Sequence, residues 1–146
     1  MNRYENLQLN YINGGWRPGG SGEGVTGGGP CAGEKLLVFQ AATVADMNEA
    51  YEGAAEKQKV WAQTNPYQIS GIMHKAAQIM QDRSEEIIDW LIKESGSTRI
   101  KAQVELNASI GIVAHSANYP FLMETKIAPS VIPDKVNYII RKPVGV

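Results

Sequence analysis

The feature that most constrains this fold is a succession of four helical patterns between Thr43 and Pro120. Pro66, Gly96 and Pro120 interrupt the apolar periodicity, and these residue types commonly begin or end helices. Thr43 is followed three residues later by Asp46, which is the sequence signature of a capping box at a helix start. The pattern therefore predicts four consecutive helices in the middle of the chain.

Each helical pattern carries apolar residues at helical spacing, and this spacing predicts a buried face. We expect the first helix to end near Asn65, because a proline disfavours helical geometry in the residue before it. Ser84 and Thr98 are the expected caps of the third and fourth helices. The predicted buried residues are Met47, Ala50, Tyr51, Ala54 and Trp61, then Ile69, Ile72, Met73, Ala76, Ile79 and Met80, then Ile87, Ile88, Leu91 and Ile92, and finally Ile100, Val104, Ala108, Val113, Ala114 and Ala117.

Short extended segments flank these helices, so the predicted fold class is α/β. Residues 9–17 place apolar side chains around an Asn-Gly dipeptide, which favours a type I′ hairpin turn. Residues 18–33 are so rich in glycine that we predict a loop there, followed by a strand at residues 36–40. Residues 136–146 begin with alternating side chains and predict a terminal strand.

Composition and charge exclude several classes of partner. The chain has 14 lysines and arginines against 15 acidic residues, and they are interspersed, so no basic patch for nucleic acid is expected. Its apolar runs are too short to span a bilayer. One cysteine and the absence of an apolar leader lead us to expect a cytoplasmic protein without a disulfide.

One glycine pattern could be mistaken for a cofactor site. Gly22, Gly24 and Gly27 satisfy G-x-G-x-x-G, the turn that places a dinucleotide pyrophosphate at a helix start. However, Pro30 follows where that helix should run, and no apolar strand precedes the pattern. We therefore expect a flexible loop and assign no cofactor-binding residue.

Five other residues could suggest catalysis or metal binding. Cys31 lacks a neighbouring base or cation in the sequence, so we interpret it as a thiol without a catalytic role. His74 and His115 lie on different predicted helices without metal-ligand spacing, and we expect His115 to be a structural histidine on a partly buried helix. Glu85 and Glu86 fit a solvated helix start, where acidic side chains complement the helix dipole. No catalytic or metal-binding residue is assigned.

Four successive segments, one of them with a distinctive inner motif, resemble the aldehyde dehydrogenase family. They are YINGGW at 11–16, the stretch AGEKLLVFQ to VWAQ at 32–63, NPYQ to QVE at 65–105, ESGSTR at 94–99 within it, and YIIRKPVGV at 138–146. ESGSTR is most similar to the benzaldehyde and vanillin dehydrogenase members. One departure is GEGVTGGGPCAGE at 22–34, which replaces an apolar strand and its turn. We expect that first strand to be lost or irregular.

The resemblance implies that the chain is the amino-terminal part of an NAD(P)-dependent enzyme that oxidises an aldehyde, aromatic in the most similar members. Residues 1–130 would belong to the Rossmann-like cofactor domain, and residues 131–146 would begin the oligomerisation arm, whose strand joins subunits of a homo-oligomer. In the family, the nucleophilic cysteine, the glutamate base and the NAD or NADP site lie in later segments. The apolar ending PVGV suggests truncation, so we expect this chain alone to bind no cofactor and to be inactive.

An alternative function of a different class is a short non-catalytic module that uses the same scaffold for self-association or for binding another protein. The apolar ending and the edge of the terminal strand motivate it, because an open strand edge recruits further strands.

Overall fold

A computed structural model describes residues 6–146 and contains four helices with three pairs of short strands. The first strands are β1 (Asn10–Ile12), β2 (Gly15–Arg17), β3 (Gly24–Gly28) and β4 (Lys35–Gln40). The helices are α1 (Val44–Trp61), α2 (Pro66–Asp82), α3 (Ser84–Ser95) and α4 (Arg99–Ser116), and a 3₁₀ turn at Tyr119–Leu122 follows. The last strands are β5 (Lys126–Ala128) and β6 (Asn137–Ile139).

The first hairpin forms as the sequence predicts. Asn13 and Gly14 connect β1 to β2 with positive φ angles of 49° and 88°, and this geometry matches the twist of the antiparallel strands. Tyr11 lies opposite Trp16, with their ring centroids 5.1 Å apart. This cross-strand aromatic pair therefore stabilises the hairpin in addition to its turn.

The predicted loop at residues 18–33 is wrong for its central part. Gly24–Gly28 form strand β3, antiparallel to β4, with Thr26 opposite Val38. Strands pair through backbone hydrogen bonds that need no side chain. The regular strand β4 can therefore pair with a glycine-rich segment. The register shifts between Gly27 and Gly28, so this strand is present but irregular.

Three of the four helices begin where the capping residues and Pro66 predict, and one does not. Thr43 and Asp46 form the expected capping box, and Thr98 caps α4 through the Lys101 amide. The cap predicted at Ser84 is wrong, because Ser84 is already the first residue of α3 and Arg83 occupies the cap position without a side-chain cap bond. The end of α1 also differs from the prediction, since α1 stops at Trp61 and not near Asn65.

The small apolar core lies where α3 meets α4. Ile88 and Ala102 are fully buried and Leu106 is nearly so. Partly buried side chains from three helices surround them: Met80, Ile87, Leu91, Ile92 and Ile110. The predicted face of α3 is thereby confirmed.

Several residues that were predicted to be buried are instead exposed. Helix α4 buries Ala102 and Leu106, whereas Ile100 and Val104 are 79% and 62% exposed. The reason is that α4 is apolar on two opposite sides, and periodicity does not tell which side is covered. On α1 and α2 the prediction is likewise wrong for Met47, Tyr51, Trp61, Ile72 and Ile79, which are all exposed.

The terminal strand is shorter than predicted. Only Asn137–Ile139 form β6, and they pair antiparallel with β5, with Ile127 opposite Tyr138. The sequence reading missed β5, because three residues beside Pro129 give too short a pattern. Among the described residues, no helix has the length and hydropathy needed to cross a membrane.

Candidate functional site

The most connected polar group in the described chain is the buried carboxylate of Asp46 in the first turn of α1. Its Oδ2 accepts hydrogen bonds of 2.8 Å from the Thr43 amide, the Thr43 hydroxyl and the Gly20 amide. Its Oδ1 accepts a 3.1 Å hydrogen bond from Arg17, which also pairs with Glu49. We call Arg17, Gly20, Thr43, Asp46 and Glu49 the Asp46 cluster; it fastens the amino-terminal strands to α1.

Hydrogen bonds control the charge state of the cluster. Backbone and side-chain donors from Thr43, together with the Gly20 amide and the Arg17 charge, lower the pKa of Asp46 from 3.8 to about 2. The hydrogen bond with Glu49 raises the pKa of Arg17. The Arg17 side chain is 41% exposed, so solvent screens its ion pairs and the backbone donors dominate. The Asp46 carboxylate therefore stays ionised at neutral pH.

Glycines allow residues 18–33 to approach neighbouring backbone and side-chain atoms closely. A Cβ at Gly19 would lie 2.1 Å from the Ala41 carbonyl oxygen, and one at Gly20 would lie 2.9 Å from Asp46 Oδ2. A Cβ at Gly29 would lie 3.1 Å from the Lys93 carbonyl oxygen. The glycine-rich segment therefore lies close to the start of α1 at one end and to α3 at the other, which the loop prediction did not anticipate.

We expect Asp46→Asn to lower the Tm by several degrees at pH 7, because the amide cannot accept all the hydrogen bonds that the carboxylate accepts. The pKa of Asp46 is lowered to about 2, so its carboxylate stabilises the fold above pH 3.8 and this contribution is lost as the pH falls through about 2. Thermal unfolding followed by circular dichroism from pH 7 to pH 2 measures both effects.

The matched control for this prediction is Glu52→Gln, on the exposed side of the same helix. We expect the difference in Tm between the Asp46→Asn variant and the unaltered chain to shrink toward pH 2, while Glu52→Gln changes little throughout. Equal effects of the two substitutions at pH 7 would contradict the role given to Asp46.

A second feature is an apolar cleft of about 520 Å³ between the amino-terminal segment, the β3–β4 hairpin and α3. Its walls include Leu9, Leu37, Phe39, Trp90 and Glu94. Among residues 6–146, Glu94 is the only charged residue that lines it, so the described part of the cleft offers apolar contact but no pair of groups for acid-base chemistry.

The structure does not place the glycine pattern at a helix start. Gly22 lies in a turn with φ 70°, and Gly24 and Gly27 lie in strand β3. The strand, turn and helix that a dinucleotide pyrophosphate requires are absent at this point of the described chain. These residues therefore do not fit a nicotinamide cofactor.

The other sequence candidates are dispersed over the surface. The exposed Cys31 has its Sγ 3.9 Å from the Gly96 carbonyl oxygen. His74 is exposed on α2. His115 lies on the partly buried helix α4, as predicted, but its ring is exposed and meets Tyr119 edge to face. Across residues 6–146, no group of three potential metal ligands is present.

The two glutamates at the start of α3 are engaged in ion pairs. Glu86 forms a two-point pair with Arg83, at 2.9 and 3.0 Å. Glu85 pairs with Arg99 across the α3–α4 junction, and this hydrogen bond raises the pKa of Arg99. Glu85 is exposed as expected, whereas Glu86 is only partly exposed, so the prediction of a solvated helix start is wrong for Glu86.

Comparison with known sequences identifies relatives over almost the whole chain. Residues 16–146 match the aldehyde dehydrogenase family. The chain is 36% identical to benzaldehyde dehydrogenase from Bacillus subtilis, over 100% of this chain and 30% of that protein. It is 38% identical to vanillin dehydrogenase from Corynebacterium glutamicum, over 92% of this chain and 28% of that protein. The chain thus spans less than a third of the length of these relatives, at their amino-terminal end.

Solved structures show the same architecture. An NAD-dependent benzaldehyde dehydrogenase from Corynebacterium glutamicum superposes with a TM-score of 0.92 at 34% identity, over 96% of this chain and 30% of that one. A salicylaldehyde dehydrogenase from Pseudomonas putida shares the fold, with a TM-score of 0.87 at 22% identity, over 94% of this chain and 28% of that one. By sequence and by fold, the chain belongs to the aldehyde dehydrogenase family and corresponds to its amino-terminal part.

Proposed function

We propose that this chain is the amino-terminal scaffold of an NAD(P)-dependent aldehyde dehydrogenase that oxidises an aromatic aldehyde to the carboxylic acid. The observation that carries the proposal is the match of the whole of this chain, at 36% identity, to 30% of a benzaldehyde dehydrogenase. The vanillin dehydrogenase match points to the same class of substrate.

The contribution of this chain is positional and not chemical. The Asp46 cluster holds the amino-terminal strands on α1, and the core around Ile88 holds α3 on α4. We assign no catalytic, cofactor-binding or metal-binding residue to the chain. The nucleophile, the general base and the nicotinamide site belong, in this proposal, to the part of the enzyme outside the match, so the chain alone binds no cofactor.

We also propose a domain assignment and a setting. Residues 1–130 belong to the cofactor domain, and residues 131–146 begin the arm that joins subunits of a homo-oligomer. The β5–β6 pair crosses that boundary, which would make residues 126–128 the base of the arm. A cytoplasmic location is consistent with the single free, exposed cysteine.

The proposal is tested by joining the chain to the rest of a relative. Residues 1–146 are joined to the part of the Corynebacterium glutamicum vanillin dehydrogenase that follows its aligned segment. We expect this chimera to oxidise vanillin or benzaldehyde with NAD or NADP, because the scaffold would support the catalytic segments of a 38% identical relative. Absorbance of the reduced nicotinamide at saturating aldehyde measures the rate.

Two control measurements accompany this experiment. The complete vanillin dehydrogenase, prepared in the same way, shows that the assay reports activity. Residues 1–146 alone are expected to give no turnover, and oxidation by the pure, mass-verified chain would contradict the assignment of the chemistry to other segments. A folded but inactive chimera would count against the proposal itself.

A second candidate function is self-association without catalysis. It is favoured by the two-stranded β5–β6 sheet, which leaves an open edge on β6 within the described chain. Tyr138 and Ile139 on that strand are exposed, and open apolar strand edges pair with further strands. A monomer mass that does not change with concentration in sedimentation would argue against this candidate.

A further inference from the structure

The turn of the first hairpin contains the only Asn-Gly dipeptide of the sequence, Asn13-Gly14. The backbone nitrogen that follows an asparagine can attack its side-chain carbonyl carbon, and a glycine leaves that nitrogen unshielded because it has no Cβ. Both residues are exposed to water. The cross-strand pairs end at Ile12 and Gly15, so the Gly14 amide lies outside the ladder. The turn therefore carries two groups that can react with each other.

The folded turn holds these two groups apart. Asn13 and Gly14 have φ angles of 49° and 88°, as in a type I′ turn, where ψ of the first central residue is about 30°. Ring closure requires the Cβ of Asn13 and the nitrogen of Gly14 to lie on the same side of the bond from Cα to the carbonyl carbon. At this ψ they lie on nearly opposite sides, so the ring cannot close while the turn is intact.

Helix α1 also holds the Asn13 side chain in place. A Cβ at Gly53 would lie 2.7 Å from Asn13 Oδ1 and 3.1 Å from its Cγ, so the carboxamide lies directly on the helix backbone. Arg17 in β2 pairs with Asp46 of the same helix at 3.1 Å, which fastens the hairpin to α1. The reaction therefore requires the hairpin to leave the helix.

We propose that Asn13 is a deamidation site whose reaction is governed by the docking of the first hairpin on α1. When the hairpin opens, the Gly14 nitrogen bonds to the side-chain carbonyl carbon of Asn13. The side-chain nitrogen leaves as ammonia and takes the proton of the Gly14 amide, so a cyclic imide forms. Water then cleaves one of the two bonds from the ring nitrogen to a carbonyl carbon, which gives aspartate or isoaspartate at this position.

The two products differ in their effect on the hairpin. Aspartate keeps the backbone and tolerates a positive φ, and Lys57 lines the same cavity of about 360 Å³ as Asn13, so a cation is near the new carboxylate. Isoaspartate adds one carbon to the main chain. The register that places Tyr11 opposite Trp16 depends on a two-residue turn, so the isoaspartate form cannot restore it. The modification thus makes an opening of the hairpin permanent.

The test follows deamidation of the purified chain in mildly alkaline buffer. Peptide mass spectrometry measures the rate at Asn13, and electron-transfer fragmentation separates isoaspartate from aspartate. Gly53→Ala is expected to raise this rate about fivefold or more, because the new Cβ displaces the Asn13 carboxamide and favours the open hairpin. The helix itself is retained, since alanine has a higher helix propensity than glycine.

Gly71→Ala is the matched control, since it makes the same substitution in α2, where a Cβ would have no neighbour within 4 Å. We expect it to change the rate at Asn13 less than about twofold. Circular dichroism checks that both variants keep the helices. If Gly53→Ala unfolds the chain, Arg17→Gln takes its place, because it removes the ion pair with Asp46 and leaves the sequence of α1 unaltered.

Asn118 provides an internal reference, because it is exposed and is followed by the bulky Tyr119. In chain unfolded by urea, we expect Asn13 to deamidate faster than Asn118. Three results would overturn the inference: equal rates at the two asparagines in urea, a rate at Asn13 that is as high in the folded chain as in urea, or equal effects of Gly53→Ala and Gly71→Ala.

Discussion

Ile88→Ala is expected to lower the free energy of unfolding by about 3 to 4 kcal/mol, within the range seen when a large aliphatic core side chain is truncated. Ile88 is the largest fully buried side chain in the described chain, and it packs with Ala102 and Leu106 where α3 meets α4. The substitution removes apolar contacts and leaves a cavity whose walls are held apart by the two helices. Urea unfolding followed by circular dichroism measures the change.

The expected loss of free energy of unfolding is large relative to the total stability, because the core is small. A loss of 3 to 4 kcal/mol is a large fraction of the ~5 to 15 kcal/mol that stabilises an ordinary domain. Ile100→Ala is the control, since the same side chain is removed from a position that is 79% exposed. We expect it to cost less than about 0.5 kcal/mol. Similar losses for the two variants would show that the core does not lie at Ile88.

Gly19→Ala is expected to destabilise the chain by about 2 to 4 kcal/mol, at or above the usual cost of overpacking. The new Cβ would lie 2.1 Å from the Ala41 carbonyl oxygen and 2.5 Å from that of Gln40. Since both neighbours are backbone atoms, the segment itself must move. Moving it weakens the 3.2 Å hydrogen bond from the Ser21 amide to Ala41 and the 2.8 Å bond from the Gly20 amide to Asp46.

The control for Gly19 lies in the same glycine-rich segment. A Cβ at Gly24 would meet Val38 at 3.5 Å, an ordinary contact distance. Gly24→Ala is therefore expected to change the Tm by no more than a few degrees, whereas Gly19→Ala lowers it clearly in the same thermal unfolding experiment. If both substitutions were tolerated equally, the close approach to Ala41 would not be a feature of the folded chain.

Features with a local chemical cause could be predicted from the sequence. The capping box needs only Thr43 and Asp46, and the hairpin turn needs only Asn13 and Gly14. Gly96 ends α3 in the left-handed conformation, with φ 68°. In each case the residues that make the signal are also the residues that form the structure, so no distant partner is required.

Features that depend on a distant partner could not be predicted in this way. Strand β3 exists because β4 pairs with it, since three of its five residues are glycines, which are depleted in strands. The Asp46 carboxylate was recognised as part of a cap, but its bond to Gly20 joins residues 26 positions apart, and no local pattern marks that contact. On α4, two apolar faces gave equally good periodicity, and only tertiary packing chose between them.

Each strand pairs with the strand that follows it in the sequence, and this affects how the chain folds during its synthesis. The β1–β2, β3–β4 and β5–β6 pairs each close within a short stretch of sequence. Helix α3 packs against α4, which follows it directly. Local contacts of this kind form quickly and need no later part of the polypeptide. During translation, these elements can therefore assemble in order as they leave the ribosome.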